Sequence, residues 1–179
     1  MFAAQKAELR KEILKQRKEL STEEVNAQAE KLTVQLIDFV EKENVSCVHT
    51  YLPIQNELNT LPFVEYCLSK GIKIIVPKTL GERQMKNLDL ESLEDLVEGK
   101  YKTLYPKSEK VFEGNYDMII VPALAYDTNG GRLGYGAGYY DTFLKQHPHA
   151  VKIGLAYPFQ VVESVPMEEH DVPLDMLFA

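Results

Sequence analysis

Val25, Ala29, Leu32, Leu36 and Val40 recur at spacings of three and four, the period of one face of an α-helix, and predict a long helix packed on a sheet. Ser21 and Glu24 form a capping box at its start, with Leu20 and Val25 placed as a hydrophobic staple. An earlier helix is expected over Phe2–Lys18, where Ala3, Ala7, Leu9, Ile13 and Leu14 fall near helical spacing and basic residues take the remaining surface. Elsewhere the pattern shortens to apolar runs that read as strands: Ser46–Leu52, Ile72–Val76, Asp117–Val121, Val151–Ala156 and Met176–Phe178. The first three are followed by Pro53, Pro77 and Pro122, each expected to stop its strand because proline cannot donate to a ladder. Thr60 is placed to cap a helix that runs through Leu68 and ends near Gly71. Strand, helix and strand then make a βαβ unit, which crosses over right-handed in a parallel sheet. Tyr139–Gln146 reads as a further helix with Phe143 and Leu144 inward. Met85–Leu90 is a candidate strand, Leu93, Leu96 and Val97 a short helical turn, and Lys107–Asn115 a surface connection. The expected fold is α/β: one domain over residues 1–179, three αβα layers around a mostly parallel, Rossmann-like central sheet.

Between the Asp117–Val121 strand and the Tyr139 helix lies DTNGGRLGYGAGYYD, residues Asp127 to Asp141, which holds five of the ten glycines. A strand, a glycine-rich loop and a helix N-terminus in that order bring backbone N–H groups and the positive end of the helix dipole to one point, which suits phosphate. Gly134, Gly136 and Gly138 allow close backbone approach and positive φ, and Arg132 adds a planar cation. No GK[ST] follows, so it is not a Walker loop, and the spacing is not a dinucleotide fingerprint. Ligands of parallel α/β sheets gather at the carboxyl ends of the strands, which places the loops carrying Glu57, Lys78 and Arg132 on one rim.

The chain has 179 residues, 45% of them hydrophobic, enough for one well-buried core. Its net charge of −7 argues against a nucleic-acid surface spread over the whole fold. Positive charge is concentrated instead in the glycine loop and the first twenty residues, where Lys6, Arg10, Lys11, Lys15, Arg17 and Lys18 outnumber Glu8, Glu12 and Glu19. Cys47 and Cys67 lack CxxC or metal spacing and read as buried free thiols of a reducing compartment. With no apolar signal core and no run near the roughly eighteen apolar residues of a membrane span, the expectation is a cytoplasmic protein without a membrane partner.

No GxSxG elbow or HExxH is present, and His49, His147, His149 and His170 lie apart. A Mg²⁺ site is easier to assemble, since that ion needs only one or two carboxylates beside phosphate and water. Asp141 at a helix start and Asp171 near the last strand are candidates, though each serves equally as a cap or surface residue. Lys6 and Arg10, four apart, project from one helix face; alone they read as solvated charge. The residues by themselves give a phosphate-binding α/β domain, one reading of which is an enzyme using nucleotide and Mg²⁺ through positioning and charge.

The run PALAYDTNGGRLGYGAGYYD, with KAELR, YLPIQNELNT and EEHDVPLD in the same order from Lys6 to Asp175, resembles the 5-formyltetrahydrofolate cyclo-ligases. The resemblance implies ATP- and Mg²⁺-dependent closure of 5-formyltetrahydrofolate to 5,10-methenyltetrahydrofolate with release of ADP and phosphate. It implies that Lys6, Ala7, Glu8, Leu9 and Arg10, with Arg132, Leu133, Gly134, Tyr135, Gly136, Ala137, Gly138, Tyr139 and Tyr140, hold ATP, and that Lys6 and Arg132 act in catalysis. It further implies that Arg10, Leu52, Glu57 and Tyr135 to Tyr139 meet the folate, and that Asp141 and Asp171 bind the metal, in a monomer or weak homodimer. Ala137 departs from the Gly or Lys of many relatives and would be strained at positive φ; Thr142 stands where an arginine often follows the YYD triplet. Two rivals from other classes are a binding protein that has lost turnover and a module docking partners through its basic first helix. Deleting residues 1–18 is expected to abolish ATP use in the enzyme and to spare nucleotide affinity in the docking module. Arg132→Ala is expected to weaken ATP use with little loss of fold.

Overall fold

The computed structural model describes residues 2–179. Helices α1 (Phe2–Glu19) and α2 (Thr22–Lys42) open the chain. They are joined by the expected capping box: Ser21 Oγ accepts the Glu24 N–H, and Glu24 accepts the Ser21 N–H. Then come β1 (Cys47–His49), α3 (Leu61–Ser69), β2 (Lys73–Thr79), β3 (Met85–Leu90), β4 (Leu96–Glu98) and β5 (Leu104–Pro106). The remainder is β6 (Met118–Val121), β7 (Ala125–Tyr126), β8 (Arg132–Leu133), α4 (Tyr139–Gln146), β9 (Val151–Leu155) and β10 (Met176–Phe178).

Six strands form one sheet in the order β10-β9-β6-β1-β2-β3, parallel except where β3 runs antiparallel to β2. Side chains alternate between its faces. Val48, Ile74, Met118, Ile120 and Ile153 pack with Leu32 and Leu36 of α2 and Phe63 and Val64 of α3. Cys47, Ile75, Ile119 and Val121 pack with Phe143 and Leu144 of α4. This is the αβα sandwich expected, and burial on both faces explains why the strands read as continuous apolar runs. From β1 the chain moves through α3 to β2 in one direction along the sheet; from β6 it moves through α4, on the opposite face, to β9 in the other. The order therefore reverses between β1 and β6, where a crevice opens beyond the strand ends. A third cluster of Ile13, Leu124, Ala125, Leu133 and Val165 fastens α1 over the β7–β8 hairpin.

Several local expectations differ. β1 is shorter than Ser46–Leu52, so Tyr51 and Leu52 leave the ladder and form a wall of the crevice. β2 does not stop at Pro77 but runs to Thr79, paired with β3. β1 has ended opposite Ile75, so by Pro77 the strand is paired on one side only and tolerates a missing donor. Thr60 makes no side-chain cap; its hydroxyl bonds the Tyr51 carbonyl at 2.8 Å, and Asn59 accepts the Leu61 N–H. Leu96 and Val97 lie in a β-hairpin with β5 rather than a helical turn. Cys47 and Cys67 are buried free thiols.

Candidate active site

A cleft of about 770 Å³ opens at the reversal point, within the range of roughly 300–1,000 Å³ usual for small-molecule sites. Tyr51 and Leu52 after β1, Thr79 in β2, Pro122 after β6, Lys6 and Arg10 of α1 and residues 132–142 line it. The glycine-rich stretch proves to be two structures. Asp127 to Gly131 is the turn of the β7–β8 hairpin: Asp127 accepts the N–H groups of Asn129, Gly131 and Val165. Gly130, at φ 85°, packs so closely that an added Cβ would lie 2.5 Å from the Leu174 carbonyl. Of the five glycines only Gly134, Gly136 and Gly138 line the cleft. Gly136 and Gly138 take φ of 97° and 74°, and Gly138 caps α4 without a side chain. Ala137 is absent from the positive-φ residues, so the strain considered for it does not arise.

The cations expected to meet phosphate are here tied to protein groups. Lys6 Nζ pairs with Glu168 at 3.1 Å and Asp171 at 3.2 Å. Arg10 Nε donates to the Gly134 carbonyl at 2.9 Å. Arg132, nearly buried, pairs with Asp141 and donates Nε to the Val172 carbonyl at 3.3 Å. Leu133, Tyr139, Tyr140, Asp141 and Asp171 also line the cleft, whereas Ala7, Glu8 and Leu9 do not: Ala7 and Glu8 face solvent, and Leu9 packs on the third apolar cluster. Burial raises the Asp171 pKa, but the Glu168 N–H and the Lys6 ammonium outweigh it and hold the carboxyl below its usual range. His170, set apart from the other histidines in sequence, meets Glu168 and Asp171, the three donor atoms within 4.8 Å of one another.

At the other end of the cleft Glu57 accepts the Tyr135 hydroxyl at 2.6 Å and the Ile54 N–H at 3.0 Å. Burial pushes the Glu57 pKa up; the tyrosine hydroxyl, the Ile54 N–H and Arg17 pull against it. Tyr135 is 46% exposed, a ring standing in the cleft. Tyr139 is tied through its hydroxyl to the Leu80 carbonyl at 2.8 Å. The hydroxyls of Tyr140 and Thr79 are buried without a protein partner among the described residues. Arg17, which sequence reading left among the surface charges of α1, is 3% exposed and donates to Tyr135 at 2.7 Å. Its signal lay in the spacing: Lys6, Arg10, Ile13 and Arg17 follow one another at four, three and four residues, a single helix face. Arg83, from the β2–β3 turn, also reaches the cleft, beside Gly138.

Residues 2–179 match the model of the 5-formyltetrahydrofolate cyclo-ligase family. The mouse 5-formyltetrahydrofolate cyclo-ligase is 29% identical, over 93% of this chain and 89% of its own. The Mycoplasma pneumoniae protein of that name is 30% identical over 94% of each. Among solved structures, the Aquifex aeolicus 5,10-methenyltetrahydrofolate synthetase superposes with a TM-score of 0.83 at 35% identity, covering 96% of this chain and 88% of the other. A Mycoplasma pneumoniae 5,10-methenyltetrahydrofolate synthetase gives 0.76 at 28% identity, covering 96% of each. With the match spanning the sheet, the glycine loop and the α1 cations alike, the chain belongs to the 5-formyltetrahydrofolate cyclo-ligase family.

Proposed function

We propose that this protein closes 5-formyltetrahydrofolate to 5,10-methenyltetrahydrofolate at the expense of ATP, with Mg²⁺, releasing ADP and phosphate. One observation carries this: a single cleft is lined by three cations suited to phosphate (Lys6, Arg10, Arg132) and by a carboxylate and exposed tyrosine suited to a flat nitrogenous ring (Glu57, Tyr135). The amide oxygen of a formyl group is a poor leaving group. Transfer of the ATP γ-phosphoryl to it makes the formyl carbon electrophilic; N10 of the folate attacks, the C–O bond breaks, and phosphate leaves as the N10 proton is lost. Such chemistry asks for alignment and neutralised charge rather than a protein nucleophile, in keeping with a sequence that carries no GxSxG elbow or HExxH.

In this reading Gly134 to Gly138 and the first N–H groups of α4 cradle phosphate oxygens, while Lys6, Arg10 and Arg132 balance their charge. Glu57 accepts the N–H edge of the pterin, and Tyr135 stacks on a ring. Mg²⁺ needs only one or two carboxylates beside phosphate and water, and two are candidates: Asp141 gives one oxygen to Arg132 and leaves Oδ2 without a protein partner among the described residues, while Asp171 keeps Oδ1 at 3.6 Å from His170 and lies with Glu168. Bound there, the ion would neutralise charge on the phosphates. A partner-docking role for α1 has less support, because Lys6 and Arg10 line the cleft and Ile13 and Arg17 are buried. The test is to mix the protein with 5-formyltetrahydrofolate, ATP and Mg²⁺ and follow methenyl absorbance. Product should form only when all three are present, and its absence would overturn the proposal.

A further inference from the structure

We infer that Arg17 is a positioning residue for folate: acting through Tyr135, it locks Glu57 as an acceptor aimed at a pair of adjacent N–H donors. The inference rests on the activity proposed above and extends it to a residue that touches no ligand in that scheme.

The geometry is that of a clamp. Arg17 Nη1 donates to the Tyr135 hydroxyl oxygen at 2.7 Å, and Nη2 to the carbonyls of Gln55 at 2.7 Å and Ile54 at 3.4 Å. In return Asn56 Nδ2 donates to the Arg17 carbonyl at 3.1 Å. The turn so held is unfavourable by itself, with Gln55 at φ 44° and Asn56 at φ 54°, both left-handed. It is also the turn that carries Glu57 and supplies the Ile54 N–H to it. One guanidinium therefore fixes the turn beneath Glu57 and the hydroxyl in front of it. Only a planar fork reaches the hydroxyl and the carbonyls together.

Charge points the same way. Arg17 is 3% exposed, and among the described residues no carboxylate lies within ion-pair distance of it. A buried cation needs an answering charge. Glu57 supplies it across one intervening hydroxyl, since the Tyr135 hydroxyl accepts from Arg17 and donates to Glu57. Arg17 thus favours the ionised carboxylate, which only accepts hydrogen bonds. Two of its lone-pair sites are taken by Tyr135 and Ile54, and the remainder suit a ligand edge with neighbouring N–H groups, such as a 2-amino-4-oxopyrimidine.

Arg17→Lys tests this, keeping the charge and losing the fork. The KM for 5-formyltetrahydrofolate should rise about tenfold, the loss of one charge-assisted bond, with the KM for ATP within about twofold of the unaltered protein. In a Tyr135→Phe background, where the link through the hydroxyl is already cut, Arg17→Lys should raise the folate KM by clearly less than tenfold, because only the bonds to the Ile54 and Gln55 carbonyls remain to be lost. An unchanged folate KM, an equal rise in both KM values, or full additivity in the double variant would each overturn the inference. If Arg17→Lys does not fold, Tyr135→Phe carries the test: folate KM rises about tenfold while the ATP KM stays within about twofold, and an unchanged folate KM overturns the link. Failure of the unaltered protein to form methenyl product overturns the proposed activity, and this inference falls with it; turnover with no Arg17 effect removes only the inference.

Discussion

Arg132 and Asp141 form an ion pair in which the arginine side chain is 3% exposed and the aspartate 23%. The sequence offers the first to phosphate and the second to a metal; in the folded chain each neutralises the other. Arg132 is also part of the β7–β8 hairpin and holds the Val172 carbonyl. The expectation that Arg132→Ala spares the fold is therefore revised. It should weaken ATP use and also cost about 2 kcal/mol, because a carboxylate and a carbonyl lose their donor. Denaturant unfolding alongside ATP kinetics measures both, and unaltered ATP kinetics would remove the phosphate role.

Glu57→Gln should raise the folate KM about tenfold or more while leaving the ATP KM in place, because the acceptor for the pterin edge is half converted to a donor. Burial lifts the Glu57 pKa above the ordinary glutamate range, so the binding form, the carboxylate, is present above that raised value. It is lost as pH falls through it, sooner than for an exposed glutamate. The acid limb of kcat/KM for folate should accordingly be absent from the Gln variant.

Two glycines from the same motif should separate. Gly130→Ala forces a side chain into the Leu174 carbonyl at a left-handed φ and should cost about 2–3 kcal/mol, or roughly 4–10 °C in Tm, without acting on nucleotide. Gly136→Ala meets only the Arg10 guanidinium, 3.4 Å away. It should cost about 1 kcal/mol and raise the ATP KM. Equal effects on ATP use would contradict the division of the loop.

Removing residues 1–18 cannot distinguish an enzyme from a docking module, since it would strip Ile13 from its apolar cluster and Arg17 from Glu57's turn. Lys6→Met is the cleaner change. It should weaken nucleotide binding about tenfold with Tm lowered by only a few degrees, Lys6 being paired at the rim. Calorimetric titration with ATP decides this, and unchanged affinity would exclude Lys6 from the site.

The long elements were legible because their causes are local. The stripe of α2, the Ser21 capping box and the buried runs of β6 and β9 are set by residues within a turn or two, and α4 falls on Tyr139–Gln146 as expected. Misreadings occurred where a neighbour overrode a local rule. Pro77 stays in β2 because β1 has already ended, and Thr60 gives its hydroxyl to Tyr51 instead of to its own helix.

What the sequence determined by itself was the α/β layering, the place of a phosphate-suited loop before α4, and the set of residue types near it. Tertiary structure decided which of them meet. Lys6 reaches Asp171 across 165 residues and Tyr135 reaches Glu57 across 78, while half of the glycine run is diverted into a hairpin turn. Periodicity and capping are interactions between near neighbours and leave a trace in spacing. A bond between distant side chains leaves none, because it is the reversal of strand order between β1 and β6 that brings them to one cleft. Arg17 shows both sides: its helical phase was visible in the sequence, but its partners exist only in the fold.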